Sequence, residues 1–168
     1  KTEDKGIMKF LSKKLTAIGF KCTIIKSKGS GPKSALNLYA RYGKSKPHIM
    51  YLGHTDVVAN LDNWKLPPFK AVVSKGYLNG RGAQDMKGGI ACWISAVSNF
   101  IKNNKFKGSI SIIISADEET TGYGCPAVMK YLRKKGEKID FSVVGEPSSN
   151  KSVGDEIRIG RRGSMNGV

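Results

Sequence analysis

The spacing of hydrophobic residues changes along the chain, and each change marks an element. Between residues 4 and 18, Ile7, Met8, Leu11, Leu15 and Ile18 recur on one helical face with Phe10 beside them, and Gly19 stands where such a helix would stop. Phe20 to Ile25 is rich in β-branched residues and reads as a strand. After a Gly/Ser/Pro/Lys loop at 27–34, residues 35–42 alternate. Leu36, Leu38, Ala40 and Tyr42 share one side, which predicts a half-buried strand. Ile49 to Leu52 is a short apolar run that predicts a buried strand ending at Gly53. Residues 59–80 read as a long loop with Trp64 and Pro67-Pro68, then a short hairpin through Ala71–Val73 and Tyr77–Leu78. Residues 88–103 predict a mostly apolar helix with Ile90, Trp93, Ile94, Val97 and Ile101 inward. Ser109 to Ala116, four isoleucines with serines and an alanine and no charge, reads as a continuous apolar strand, the kind buried on both faces. Residues 126–135 predict a helix with Pro126 in its first turn, and Phe141 to Val144 a last buried strand. Strands alternating with helices predict an α/β fold with helices on both faces of a mixed sheet.

Composition narrows this picture. At 168 residues, 39% hydrophobic and 25% charged, the chain suits one domain with its own core. No apolar run approaches the ~20 residues of a membrane helix, and the charged start at Lys1 to Lys5 is not followed by a signal-peptide pattern. Cys22, Cys92 and Cys125 are far apart, odd in number and form no C-x-x-C pair. They read as reduced thiols of a cytoplasmic protein. The net charge of +16 raises nucleic-acid binding as a possibility. However, the dense clusters, Lys13-Lys14 and Arg133-Lys134-Lys135, fall on the solvent sides of predicted helices without interleaved aromatics. The expectation is a solvated basic surface that attracts a small anionic substrate, with no nucleic-acid and no membrane partner. A basic binding module without catalysis is the competing reading.

Candidate chemistry lies in the acidic residues. Asp56, Asp85, Glu118, Glu119 and Glu146 each follow a predicted strand or sit in a glycine-rich turn. Strand ends at one edge of a sheet are neighbours in space, so these carboxylates should converge, and without a cation they would repel. His54 ends the Ile49–Leu52 strand, and in extended chain Asp56, two residues on, leaves the same face. A carboxylate there would fix a metal-bound imidazole, although each residue alone could equally be a hydrogen-bonding or capping group. One imidazole with several carboxylates suits zinc, cobalt or manganese better than calcium. Asp85 is flanked by Gly80, Gly82, Gly88 and Gly89, which allow tight backbone geometry. Glu118 and Glu119 would face opposite ways in a straight strand. A kink would aim one at a metal and the other at its water, whereas the alternative is an acidic first turn of a helix.

Four stretches, GHTDVV, GRGAQDMKGG, SADEE and VGEPSS, together resemble the dinuclear zinc exopeptidase and deacylase family that includes carboxypeptidase G, acetylornithine deacetylase and succinyl-diaminopimelate desuccinylase. GEPSS and VGDEIRIGRRGSMNG look most like its desuccinylase branch. The resemblance implies a three-layer catalytic domain with a mixed, mostly parallel central sheet. It also implies two Zn²⁺ ions per complete active site, with Co²⁺ as a substitute. His54 and Glu146 would hold one ion, Glu119 the other, and Asp85 would bridge them. Asp56 would support His54, and Glu118 would be the general base. The implied reaction is hydrolysis of the amide bond of N-succinyl-LL-2,6-diaminopimelate to succinate and LL-2,6-diaminopimelate, in lysine and cell-wall precursor synthesis. An acetylornithine deacetylase or metallo-carboxypeptidase is the alternative within the family. Arg161 and Arg162 are candidate forks for a substrate carboxylate.

Members of the family are longer than this chain. The resemblance therefore implies that residues 1–158 are the N-terminal part of the catalytic domain and that 159–168 begin a lid and dimerisation domain. The complete form is expected to be a homodimer, and this chain a fragment inactive alone. Its histidines, His48 and His54, both precede Glu146. The family's last metal-ligating His and its lid His have no counterpart in this sequence.

Overall fold

The computed structural model describes residues 4–29, 34–59 and 64–160. The chain builds α1 (Ile7–Ala17), β1 (Lys21–Ser27), β2 (Ala35–Gly43), β3 (His48–His54), a hairpin of β4 (Val72–Ser74) and β5 (Tyr77–Asn79), α2 (Gly89–Asn103), β6 (Ser109–Ser115), α3 (Gly124–Lys134) and β7 (Phe141–Val144). Five strands form one sheet in the order β1-β2-β6-β3-β7. β2 pairs antiparallel with β1 and β6, while β3 pairs parallel with β6 and β7. Four strands therefore run one way and only β2 is reversed, the mixed sheet that the sequence predicts.

Two cores explain why β6 is buried throughout and carries no charged residue. On one face Ile110, Ile112 and Ile114 pack with Leu38 and Ala40 of β2 beneath α1 and α2, which contribute Met8, Leu11, Leu15, Ile90 and Val97. On the other, Ile113, Tyr39 and Met50 pack against Val128 and Leu132 of α3. Fully burying each such side chain contributes about 1.5–3 kcal/mol. Covering both faces also buries Asn37 and Tyr39, so β2 is more enclosed than the half-buried strand its alternation predicts.

The edge strand β7 corrects another expectation. Phe141, Val143 and Val144 are exposed rather than buried, and no β7 residue enters either core. Among the described residues only β3 lies beside it, so a short apolar run here marks an edge and not a core strand. Residues 161–168, with Arg161 and Arg162 and most of the segment predicted to open a further domain, lie outside the described residues. So do 30–33 and 60–63, within the two predicted loops.

A candidate metal centre at the carboxyl edge

β3, β6 and β7 run parallel, so their carboxyl ends share one edge, where loops are free to carry chemistry. His54 is the last residue of β3 and pairs in register with Ser115, the last of β6. Just beyond, the Thr55 amide donates to Ser115 O at 3.2 Å and the chain leaves the sheet towards Asp56. On the other side, Gly145 N–H donates to Leu52 O at 2.9 Å, which brings Glu146 to the same edge. Gly145 must lack a side chain, because a Cβ there would lie 1.9 Å from the Tyr51 hydroxyl.

Asp85 arrives by a tight helical turn over 83–88. Gly82 opens it in the left-handed region (φ +78°), and a Cβ there would meet Val57 at 2.6 Å and the Lys87 ammonium at 2.0 Å. The turn breaks at Asp85 (φ −114°, ψ 99°), whose peptide bond to Met86 is cis. Met86 is fully buried in the α1/α2 core, whereas Asp85 stays at the surface.

The result is a convergence on one imidazole. His54 Nε2 lies 3.1 Å from Asp85 Oδ1, 3.5 Å from Glu146 Oε1 and 3.8 Å from Glu118 Oε2. Donor atoms of His54, Asp85 and Glu146 all fall within 4.8 Å of one another. The imidazole is 2% exposed, but the Asp85, Glu118 and Glu146 side chains are 49%, 44% and 36% exposed, so the cluster opens to solvent. On the far side of the ring, Nδ1 is 3.1 Å from the Asp56 carbonyl and 3.5 Å from its carboxylate Oδ1. Asp56 Oδ2 accepts the Glu119 amide at 3.0 Å, tying the β3 exit to the β6 exit.

The electrostatics of the cluster is that of crowded like charge around one imidazole. Burial disfavours a charged His54. The hydrogen bond and charge of Asp56, with the charges of Glu146 and Glu118, outweigh burial and raise the imidazole pKa from 6.5 to about 9. Burial raises the Glu146 carboxyl above the usual range, and Asp85, Glu118 and Glu119 add to that against the pull of His54. Glu119 is raised as well, by burial and by Asp85, Glu118 and Asp56. Asp56 is lowered despite its burial, by hydrogen bonds from His54 and from the Glu118 and Glu119 amides. Crowded carboxylates that hold onto protons around a buried imidazole form a donor set that a divalent cation fits. His54, Asp85 and Glu146 could give three protein ligands, the number at which a catalytic zinc keeps an open position.

The structure thus brings His54, Asp56, Asp85, Glu118 and Glu146 together. Glu119 is joined to the group through its backbone and its field, outside the three-ligand set. Two residues escaped the sequence reading. Lys87, within DMKGG, reaches Thr55 O at 3.4 Å, and burial lowers its pKa although Asp56 and Asp85 pull the other way. Asp117, within SADEE, is 1% exposed and left-handed (φ +66°). Both lay in stretches already singled out, but neither carries a spacing signal.

The chain is 50% identical over 167 residues to the succinyl-diaminopimelate desuccinylase of Pelagibacter ubique (strain HTCC1062), covering 97% of this chain and 44% of that protein. It is 46% identical over 167 residues to the enzyme of the same name from Ehrlichia chaffeensis (strain ATCC CRL-10679 / Arkansas), covering 97% and 43%. The chain therefore spans less than half the length of the curated relatives it matches. Among solved structures, human carnosine dipeptidase 1 superposes with a TM-score of 0.67 at 25% identity, over 82% of this chain and 32% of that one. The model of peptidase family M20/M25/M40 matches residues 50–161, a span that includes every residue of the cluster from His54 to Glu146, and the chain belongs to that family.

Proposed function

We propose that the protein acts in metal-dependent hydrolysis of the amide bond of N-succinyl-LL-2,6-diaminopimelate, giving succinate and LL-2,6-diaminopimelate, in the cytoplasm. The single observation that carries the hydrolytic reading is the buried imidazole of His54 facing the Asp85, Glu146 and Glu118 carboxylates at 3.1–3.8 Å. The relatives named desuccinylase support the choice of substrate. In this reading His54 and Glu146 hold one Zn²⁺, Asp85 is shared and Glu119 serves a second ion, with Co²⁺ able to substitute. A divalent ion at this place supplies Lewis-acid polarisation and neutralises developing negative charge.

The chain's own residues do the rest. Asp56 orients His54 through Nδ1, so that Nε2 faces the cluster. Glu118 is the general base: it takes a proton from the attacking water and delivers it to the leaving amine. The basic surface draws in a polyanionic substrate, and Arg161 and Arg162 are proposed to fork one of its carboxylates. The remaining finer expectations are proposals of the same kind: residues 1–158 as one part of the catalytic domain, 159–168 as the start of a lid, and a homodimeric complete form.

Three ligands support tight binding of one ion by this chain. For a second, the sequence offers Asp85 and Glu119, while His48 stands at the other end of β3. The chain alone should therefore bind one zinc tightly and turn over little substrate. Calorimetric zinc titration, run with an assay of succinyl-diaminopimelate cleavage, tests this. Two tight sites per chain, or turnover near the ~10 per second typical of enzymes, would overturn it. Faster cleavage of an acetylated than a succinylated substrate by the complete enzyme would move the assignment to a deacetylase.

A further inference from the structure

We propose that Asp117 is a positioning residue whose buried carboxylate builds the turn that aims both Glu118 and Glu119 at the edge of the site. This deepens the metal-dependent reading, and rests on it only for what the two glutamates do.

Adjacent residues of a straight strand point to opposite faces. Here Glu118 Oε2 lies 3.8 Å from His54 Nε2, while Glu119 donates its amide to Asp56, the residue behind the same imidazole. For both to serve one site, the backbone must leave extended geometry between Ser115 and Glu119. It does so at Asp117, whose φ of +66° lies in a region few residues other than glycine enter and that Asp tolerates better than most.

The turn is pinned on both sides. Before it, the Ala116 amide donates to Asn37 Oδ1 at 2.9 Å. Asn37 is fully buried in β2, and its own amide group donates to Ile25 O and Ser27 Oγ at 3.0 Å each. After it, the hydroxyls of Thr120 and Thr121 donate to the two oxygens of the Asp117 carboxylate. Its backbone carbonyl accepts the Gly122 amide at 2.7 Å. Asp117 thus stands between an anchored strand end and the segment that carries the glutamates, and its carboxylate bonds to hydroxyls within the turn.

The test is amide hydrogen exchange by NMR on the metal-free chain. Asp117→Ala should speed exchange of the Glu119 amide by about tenfold or more, as its bond to Asp56 loosens, and leave Ile112–Ile114 within about twofold. Asp117→Asn, which tolerates the left-handed backbone and keeps one acceptor, should restore protection to within about threefold. The double variant Thr120→Val/Thr121→Val reaches the same readout with Asp117 intact, should Asp117→Ala fail to fold. Unchanged Glu119 protection in Asp117→Ala, or in the threonine double variant, would overturn the proposal. So would parallel acceleration at Ile112–Ile114, which would make Asp117 a general stabiliser of β6. Because no metal is present, failure here is distinct from failure of the metal reading, which a zinc titration of the unsubstituted chain reports separately.

Discussion

β3 begins with one buried histidine and ends with another, and the two teach opposite lessons. His48 is 1% exposed and both its ring nitrogens meet neutral partners: Nδ1 lies 2.8 Å from Lys138 O and Nε2 2.7 Å from Ser111 Oγ. Nearby, Asp140 accepts the His48 amide at 2.8 Å, and Arg41 pairs with Glu137 while donating to Ser109. Both acids there face a cation, Glu137 with Arg41 and Asp140 with Lys46, and the network ties the loop after α3 to the foot of the sheet. His54 is as buried, but its Nε2 meets three carboxylates and its Nδ1 a fourth. One imidazole cannot balance four acids. Burial alone therefore does not mark a functional histidine. What sets His54 apart is the excess of like charge around it, which a bound cation would relieve.

The largest break in this contrast should come from His54→Ala, which removes a proposed direct ligand. Calorimetric zinc affinity should fall on the order of 10³-fold, beyond the 10–100-fold typical of residues that merely support a ligand. His48→Ala should do the reverse. It leaves Lys138 O and Ser111 unpaired in a cavity, so denaturant melts should show a loss of about 2–4 kcal/mol. Zinc affinity should stay within about twofold, because the two rings are about 20 Å apart along the strand.

Removing metal sharpens the contrast through pH. His54 has a folded pKa of about 9 against 6.5 when unfolded. The folded, metal-free protein holds that proton more tightly, so the stabilisation is complete below pH 6.5 and is lost as pH rises to 9. Glu119 and Glu146, also raised, act in the same sense at lower pH. Chelator-treated protein should therefore lose on the order of 3 kcal/mol between pH 6.5 and 9 in denaturant melts. A flat profile would contradict the charge excess. The smallest effect expected is that of Asp56→Asn. It keeps the shape but weakens the hold on Nδ1, and should cost about 10–100-fold in zinc affinity by calorimetry.

Much of this was legible in the sequence because it rests on period and position. β6 read correctly as buried on both faces, and the carboxylates after the strands read as convergent, because parallel strands place their ends together. The exposed β7 did not read, since three apolar residues in a strand of four look alike in a core and at an edge until neighbours are counted. The enclosure of β2 was hidden for a related reason, as α3 covers the face that alternation assigned to solvent. The turn at Asp117 was anticipated only as a kink between Glu118 and the strand. Its cause, an Asp in left-handed geometry held by two threonine hydroxyls, carries no periodic signal.

The chain has two histidines, so its imidazole NMR spectrum contains two side chains and reports on both ends of β3 at once. Adding one equivalent of zinc to the metal-free protein should move the ring nitrogen resonances of His54 and leave those of His48 in place. If the His54 resonances stay unmoved, or those of His48 shift as far, His54 and its ring of carboxylates are not a metal centre.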